Sequence, residues 1–124
     1  MLAGDDTVKR SNLDGTTVEL LASLDIQAFL PSGLSIDAQN NKLYLTTNDQ
    51  EIIRMNLDGT NVQTQLSGFS YQVAQIAVHP SANFMFWIDR SNHNIRRATL
   101  AGSSESTILE GEPTTNADIA FDTV

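Results

Sequence analysis

The feature that most constrains the fold of this chain is a five-residue sequence, NLDGT, which occurs twice. It stands at residues 12–16 and 56–60, and a divergent copy, TLAGS, stands at residues 99–103. The starting positions are 44 and 43 residues apart. A period in this range is typical of repeat proteins, in which each repeat is one supersecondary unit that buries its apolar face only against its neighbours. The repeats therefore decide how every other motif is interpreted.

The residues that flank NLDGT predict a β-hairpin. EIIRMNL at residues 51–57 and TNVQTQL at residues 60–66 alternate or carry β-branched side chains, as strands do. The Asp-Gly pair between them favours a two-residue type I′ turn. That turn needs positive φ at both central residues, and Asp and Gly adopt it at little cost. We therefore expect Asp58 and Gly59 to be the central residues of the turn.

Two complete repeats align in register, at residues 33–68 and 75–111, and each contains four short strand candidates, which we label a, b, c and d. Their expected bounds are 33–37, 42–47, 51–57 and 61–66 in one repeat and 75–79, 84–89, 94–100 and 104–109 in the next. Strands b and c carry apolar residues on both faces. Such strands need cover on both sides, as in the radially stacked four-stranded blades of a propeller.

The two ends of the chain complete the same pattern. Met1 aligns with Leu45 near the end of a b strand, and the segments that follow align as c at 8–13, d at 16–21 and, at the far end of the chain, a at 117–122. The predicted domain is therefore all-β, with three four-stranded antiparallel blades, one of them split between the termini. The repeats span about 1–32 plus 117–124, then 33–74 and 75–116.

Composition excludes several classes of partner. The 124 residues, enough for about one domain, carry a formal net charge of −8, which repels phosphate backbones and anionic lipid. We therefore expect no nucleic-acid or membrane partner, and peptides or basic proteins are more compatible. The chain has no cysteine, which excludes disulfides and thiolate metal sites. No apolar run reaches membrane-spanning length, and the N-terminal stretch lacks the features of a signal peptide.

A second motif stands in register with the first. The strand b position reads Tyr44-Leu45-Thr46-Thr47 and then Phe86-Trp87-Ile88-Asp89. The pattern Ile-x-Arg-x-x-Leu-Asp-Gly is matched by Ile52, Arg54, Leu57, Asp58 and Gly59, by Ile95, Arg97, Leu100, Ala101 and Gly102, and by Val8, Arg10, Leu13, Asp14 and Gly15. Two spaced motifs in register are more specific than either alone. Together they resemble the YWTD repeat of the six-bladed β-propellers in the low-density lipoprotein receptor family and its bacterial relatives. Neither YWTD copy is complete, and related six-bladed families such as NHL-repeat proteins are an alternative.

The resemblance implies a closed ring of six blades, whereas this chain encodes three. Half a ring leaves two open blade faces and unpaired strand edges. Two chains supply six blades, and strand a at the C-terminus of one chain would complete the split blade of the other. We therefore expect a homodimer, with a fragment that needs a missing half, natural or engineered, as the alternative. The resemblance also implies an extracellular or periplasmic location.

No catalytic motif is present: the sequence has no G-x-S-x-G, no phosphate-binding Gly loop and no H-E-x-x-H. We expect no cofactor. The ends of the three a strands carry Asp37, His79 and Asp122 at equivalent positions, where they could approach a central channel. A metal-dependent hydrolase or lactonase would use such a ring. The competing interpretation, which the resemblance favours, is that these residues stabilise turns. Asp89 and Arg97 are expected to form a structural polar pair, and Trp87 and Phe86 to pack between blades.

The b–c and d–a loops share one face of a propeller, and loops on rigid scaffolds often carry function. The candidate binding residues on that face are Asp5, Asp6, Asn48, Asp49, Phe69, Tyr71, Asn92 and His93. Acids and amides around a few aromatics suit a peptide or a small polar ligand, and an ordinary solvated rim is the alternative. The resemblance implies protein or peptide ligands on this face. The sequence thus favours a non-enzymatic binding or scaffold module, and a half-propeller, natural or engineered, with no ligand of its own is a further alternative.

Overall fold

The computed structural model describes residues 7–23, 31–47 and 50–111. Within them the chain is all-β, as predicted, with ten strands, antiparallel sheets and one short 3-10 turn at Pro80–Ala82. The strands are β1 (Thr7–Arg10), β2 (Glu19–Ser23), β3 (Pro31–Asp37), β4 (Lys42–Thr47), β5 (Ile52–Asn56), β6 (Gln63–Leu66), β7 (Val73–His79), β8 (Phe84–Asp89), β9 (Asn94–Thr99) and β10 (Ser106–Leu109). No helix in the described part of the chain is long and apolar enough to cross a membrane.

The strands form three sheets in which each strand pairs with its neighbour in sequence. We call β1–β2 the first blade, β3–β4–β5–β6 the second blade and β7–β8–β9–β10 the third blade. The second and third blades are the predicted a-b-c-d meanders, and β4 and β8 have the predicted bounds. The first blade contains the predicted c and d strands. The a strand predicted at 117–122 and the b segment predicted at the start of the chain lie outside the described residues.

Strand starts differ from the prediction in all three blades: β2 begins three residues later than expected, at Glu19, and β1 and β5 differ by one residue. The two complete blades share two further shifts. β6 and β10 begin two residues later than expected, at Gln63 and Ser106. Asn61 and Ser104 adopt positive φ, 55° and 56°, which interrupts the extended backbone that follows the turn. β3 and β7 instead begin two residues earlier than expected. The inner strands are therefore the longest of each complete blade and the outer strands the shortest.

The turn at NLDGT is not the predicted type I′ turn. The Gly59 N–H donates to the Asn56 carbonyl at 2.9 Å, and the Asn56 N–H donates to the Thr60 carbonyl at 2.9 Å. Gly59 has a φ of 85°, whereas Asp58 is not at positive φ. The central residues are therefore Leu57 and Asp58, and a left-handed glycine follows them, as in common three-residue hairpin loops. The prediction was wrong because Asp58 supports this turn through its side chain, without adopting the left-handed backbone.

All three repeats form this turn, with two different side-chain arrangements. The Asp58 carboxylate accepts hydrogen bonds from the backbone N–H of Thr60 at 3.0 Å and from its hydroxyl at 2.6 Å, and the first repeat has the same pair of bonds. These bonds hold the pKa of Asp58 below its usual range. Ala101 has no carboxylate, and in the third repeat the Thr99 hydroxyl accepts from the Ser103 N–H at 3.1 Å. The divergent TLAGS sequence therefore keeps the geometry of NLDGT.

The main core lies between the second and third blades. Tyr44 and Ile52 of the second blade pack with Met85 and Trp87 of the third, and all four are at most 1% exposed. The opposite face of the second blade buries a separate cluster, Leu43, Leu45, Ile53 and Met55. β4 is therefore buried on both faces, which confirms the interpretation of its apolar pattern. Trp87 is a packing residue, as predicted.

The inner strands β3 and β7 approach closely at the same interface. The Val78 N–H donates to the Ser35 hydroxyl at 3.1 Å, and the Thr46 hydroxyl donates to the Ala74 carbonyl at 2.7 Å. A Cβ on Gly33 would lie 2.9 Å from the Thr46 hydroxyl oxygen and 3.0 Å from the Gln75 Cα. The two inner strands therefore pack at a distance that requires a glycine at one position and a small hydroxyl residue two positions later.

Gly102→Ala tests the contact between the outer parts of these blades. Gly102 has a φ of 88°, and a Cβ there would lie 2.3 Å from the Gln65 carbonyl oxygen, whereas Gly15, at the equivalent turn position, has a φ of 83° and open space around it. Both substitutions should cost about 1–2 kcal/mol for the left-handed backbone. Gly102→Ala should cost about 1–3 kcal/mol more, because the Gln65 backbone must move. Urea unfolding of both variants measures the difference in the free energy of unfolding. Equal losses of stability in the two variants would contradict the close contact between Gly102 and the Gln65 backbone.

Candidate binding face

The connections β6–β7 and β8–β9 emerge at the same edge of the blades, because alternate connections of a meander share an edge. We call the described residues of this edge, 50–51, 67–72 and 90–93, the loop face. The two longer loops are joined to each other. The Arg90 N–H donates to the Gln72 carbonyl at 2.9 Å, and the Gln72 N–H donates to the Ser91 hydroxyl at 2.9 Å. The connection between the second and third blades is thus joined, at its third-blade end, to the β8–β9 loop of the third blade.

The β8–β9 loop is fixed at its base by Asp89, which is fully buried. Its carboxylate accepts from the backbone N–H of Asn92 at 3.0 Å and from the side-chain amide of Asn92 at 2.8 Å. The nearest guanidinium nitrogen of Arg96 lies 4.0 Å from the same carboxylate. A buried carboxylate needs such partners because water cannot reach it. Asp89 therefore shapes the loop and is not available to a ligand.

A hydrogen-bonded network lies beneath the loop face. The Trp87 Nε1–H donates to the Tyr71 hydroxyl at 3.2 Å, and this hydroxyl donates to Glu105 Oε1 at 3.0 Å. Arg96 donates to the same carboxylate oxygen at 2.7 Å and 3.1 Å, and its guanidinium lies 4.8 Å from the centre of the Tyr71 ring. Burial raises the pKa of Tyr71, and the nearby charge of Glu105 adds to the shift. Tyr71 therefore stays neutral and can donate to the carboxylate.

Two of the predicted binding residues do not form part of the exposed rim. Phe69 and Tyr71 are 7% and 6% exposed, and the Phe69 ring centre lies 5.0 Å from that of Tyr71 and 5.7 Å from that of Trp87. Their rings fill the space between the blades, so the expectation of an aromatic rim was wrong for these two residues. They support the loop face from below.

The other predicted residues divide between exposed positions and positions outside the description. Asn92 and His93 are exposed at the β8–β9 loop, and His93 has a φ of 58°. The Asn92 side chain is engaged with Asp89, so it shapes the loop as Asp89 does. The remaining predicted residues, which lie outside the described part, are Asp5, Asp6, Asn48 and Asp49.

The proposed channel residues lie at the opposite edge of the blades, and each described one supports a local turn. Asp37 is 1% exposed and accepts from the Asn40 backbone at 3.0 Å and from the Asn40 amide at 2.8 Å. His79 Nδ1 accepts from the Ala82 N–H at 3.3 Å. Asp122 lies outside the described residues. Among the described residues no three or more His, Asp or Glu side chains are grouped so as to hold a metal ion.

The predicted polar pair of Asp89 with Arg97 was wrong by one residue. Arg96 is the arginine near Asp89, and the Arg97 guanidinium lies 4.6 Å from the centre of the Phe84 ring. Successive residues of a strand point to opposite faces, so the two arginines lie on opposite faces of the third blade. The sequence does carry one signal for the missed residue Glu105. Arg10–Glu19, Arg54–Gln63 and Arg96–Glu105 are hydrogen-bonded pairs with the same nine-residue spacing across the c–d turn.

Comparison with known proteins supports the fold. No family model matches the chain, and no curated protein matches it. Among solved structures, the chain is similar to one in the crystal structure of a nidogen/laminin complex, which contains a β-propeller. The TM-score is 0.75 at 19% sequence identity, and the match covers 84% of this chain and 40% of that chain. This chain therefore spans less than half the length of its structural neighbour, with which it shares the architecture of stacked propeller blades.

Tyr71→Phe tests the network beneath the loop face. The substitution leaves the buried Trp87 N–H without its acceptor, which should reduce the free energy of unfolding by about 1–3 kcal/mol. Glu105→Gln keeps an acceptor oxygen at a partly exposed position and should cost less. Urea unfolding followed by the fluorescence of Trp87, the single tryptophan, reports both variants. A Tyr71→Phe variant as stable as the wild type would show that the hydroxyl is not needed by Trp87.

Proposed function

We propose that the chain is a non-enzymatic binding or scaffold module that engages a protein or peptide through the loop face. The observation that carries this proposal is the pair of hydrogen bonds that joins Gln72 to the Arg90–Ser91 segment, one between backbone groups and one from the Gln72 N–H to the Ser91 hydroxyl. These bonds fix the end of the β6–β7 connection against the β8–β9 loop of the third blade without using most of their side chains. A surface that is ordered in advance loses less conformational entropy when a partner binds. The solved structure with a similar fold comes from a complex of two proteins, which is compatible with such a role.

The charge of the whole chain and of the equivalent loops favours a basic, polar partner. The exposed described residues of the loop face are small or polar, with Arg90 as a cation: Ser67, Gly68, Ser70, Gln72, Arg90, Ser91, Asn92 and His93. In the sequence alignment Asp5, Asp6, Asn48 and Asp49 occupy equivalent loops, and they would add three carboxylates and one amide to the same surface. The whole chain carries a net charge of −8, so its long-range field attracts cations. A basic peptide would be both steered to this surface and hydrogen-bonded by it.

The scaffold of the proposed module is a six-bladed YWTD-type ring made by two copies of the chain. The motif positions in β4, β5, β8 and β9 support the YWTD assignment, and that repeat closes with six blades. The described blades cannot close on themselves, because two complete blades and one hairpin cover too small an arc. A second copy supplies the missing blades through a two-fold axis, which leaves no open edge.

The native mass of the full chain tests the ring. Light scattering on a sizing column should give twice the 13.5 kDa of one chain. The measured mass should stay the same on dilution until the protein concentration approaches the dissociation constant of the dimer. A monomer that stays monodisperse at all accessible concentrations would contradict the two-copy ring, and a different partner for the open blade faces would then be required.

Selection of random peptides against the immobilised chain tests the binding role. We expect enrichment of peptides rich in Lys and Arg. The variants Gln72→Lys and Gln39→Lys change the net charge equally, but Gln72 lies on the loop face and Gln39 lies on the turn between β3 and β4 at the opposite edge. Gln72→Lys should weaken the selected peptides about tenfold, since like charges brought together at an interface are repelled, whereas Gln39→Lys should not. Equal effects of the two variants would contradict binding at the loop face.

A further inference from the structure

The inner strand of the second blade exposes two large apolar side chains. Leu34 and Ile36 on β3 are 48% and 56% exposed, and we call them the β3 stripe. The equivalent residues on the inner strand of the third blade are Ile76 and Val78, and they are 3% and 9% exposed. Ile76 and Val78 belong to the core between the blades, where β3 is the neighbouring inner strand of β7. The same two positions are thus covered in one blade and open in the other.

The exposure is confined to the inner strand of that sheet face. Leu34 pairs with Leu45 and Ile36 pairs with Leu43 across β3 and β4, so all four side chains point to the same side. Leu45 and Leu43 are 0% and 3% exposed. On this face the side chains of β4 are therefore buried, whereas those of β3 are exposed to solvent. The described first blade contains outer strands only, β1 and β2, and what this face lacks is an inner strand.

The contact between β3 and β7 shows what kind of strand fits the β3 stripe. β3 covers Ile76 and Val78 with the side that carries Gly33 and Ser35, and the Ser35 hydroxyl accepts from the Val78 N–H at 3.1 Å. A Cβ at position 33 would lie 3.0 Å from the Gln75 Cα. A strand that covers the β3 stripe must likewise present a small side chain at the position of Ser35, because a bulky one there would separate the inner strands.

We infer that the β3 stripe is the docking site for residues 117–122 of a second copy, an inference that rests on the proposed two-copy ring. This segment, ADIAFD, aligns with β3 so that Ala120 takes the place of Ser35 and Asp118 takes the place of Gly33. Ala120 is small enough to face the β3 stripe. Strand alternation then directs Ile119 and Phe121 to the other side, toward the third blade of their own chain.

The order of the chain explains why the segment comes from the second copy. Residues 117–122 follow β10, the outermost strand of the third blade, so in the proposed ring they would begin the next blade. In a two-copy ring this next blade is the first blade of the other chain, and it lies directly before β3 of that chain. Each copy thus gives one inner strand and receives one.

Disulfide trapping tests the docking directly, because the chain has no cysteine of its own. Ile36→Cys and Ala120→Cys are made as separate full-length variants, mixed, unfolded and refolded together, and then oxidised. The pair corresponds to Val78 and Ser35, which are in contact within one chain. The double variant Ser35→Cys/Val78→Cys is therefore the geometric control and should form a bridge without a change in mass. The mixture should form a covalent dimer on a non-reducing gel, and neither single variant alone should do so.

The outcomes separate the docking from the ring itself. A covalent dimer from the mixture supports the docking. A dimeric mass without the bridge overturns the docking and leaves the two-copy ring standing. A bridge within one chain of the Ile36→Cys/Ala120→Cys double variant also overturns the docking, because the segment would then reach its own β3. A monomeric mass overturns both the docking and the ring.

Leu34→Lys gives a second readout that does not depend on oxidation. Leu34 is already half exposed, so the substitution should not disturb the fold of one chain. It should raise the dissociation constant of the dimer at least about tenfold, because a charge would be buried under the incoming strand. Val62→Lys is the matched control, since Val62 is 50% exposed near the outer strand β6. Equal dissociation constants for the two variants would contradict docking at the β3 stripe.

Discussion

The close packing of one inner strand on the next is the interaction on which the rest of the structure depends. β3 and β7 meet through Gly33 and Ser35, and their contact sets the distance between the second and third blades. At that distance Trp87 fills the space between the blades and finds the Tyr71 hydroxyl as its acceptor. The loop face is built on these two side chains, so its arrangement follows from the strand contact beneath it.

The repeats keep this geometry while their side chains change. The turns in the first two repeats use an aspartate side chain and the turn in the third uses Thr99, yet all three have a left-handed glycine at the same place. Backbone hydrogen bonds define the turn, and a side chain only has to satisfy one of its free N–H groups. A motif can therefore diverge in sequence without a change in structure, which explains why TLAGS was still recognisable from its spacing.

Much of the fold could be predicted because its signals are local and periodic. The turn sequences recur every 43 or 44 residues, and the apolar patterns of the strands between them can be recognised in a single sequence. The errors at the candidate site arose where the face of a strand or the contact between blades decides the outcome. Arg96 rather than Arg97 faces Asp89 because a shift of one residue moves a side chain to the other face of a strand. Phe69 and Tyr71 lie in a polar loop, and their burial against Trp87 follows from the stacking of the third blade on the second.

The free energies of apolar burial and of association indicate how much a strand that closes the ring must contribute to dimer stability. Fully burying a Leu or Ile side chain stabilises by about 1.5–3 kcal/mol. Because Leu34 and Ile36 are already about half buried, covering both gives roughly 1.5–3 kcal/mol in total. Association costs an estimated 4–15 kcal/mol in lost translational and rotational freedom. The β3 stripe alone is therefore insufficient, and one strand that covered only these two residues would not hold two chains together.

A two-fold ring changes this balance, because it forms two contacts between an incoming strand and a β3 stripe. The translational and rotational freedom of the second chain is lost only once. Each incoming segment also carries Ile119 and Phe121, which alternation directs to the third blade of its own chain. The same strand would therefore bury apolar surface on both of its faces, as β4 does within the second blade. Closure of the ring is in this sense one more blade contact, in which the strand that completes the packing comes from the other chain.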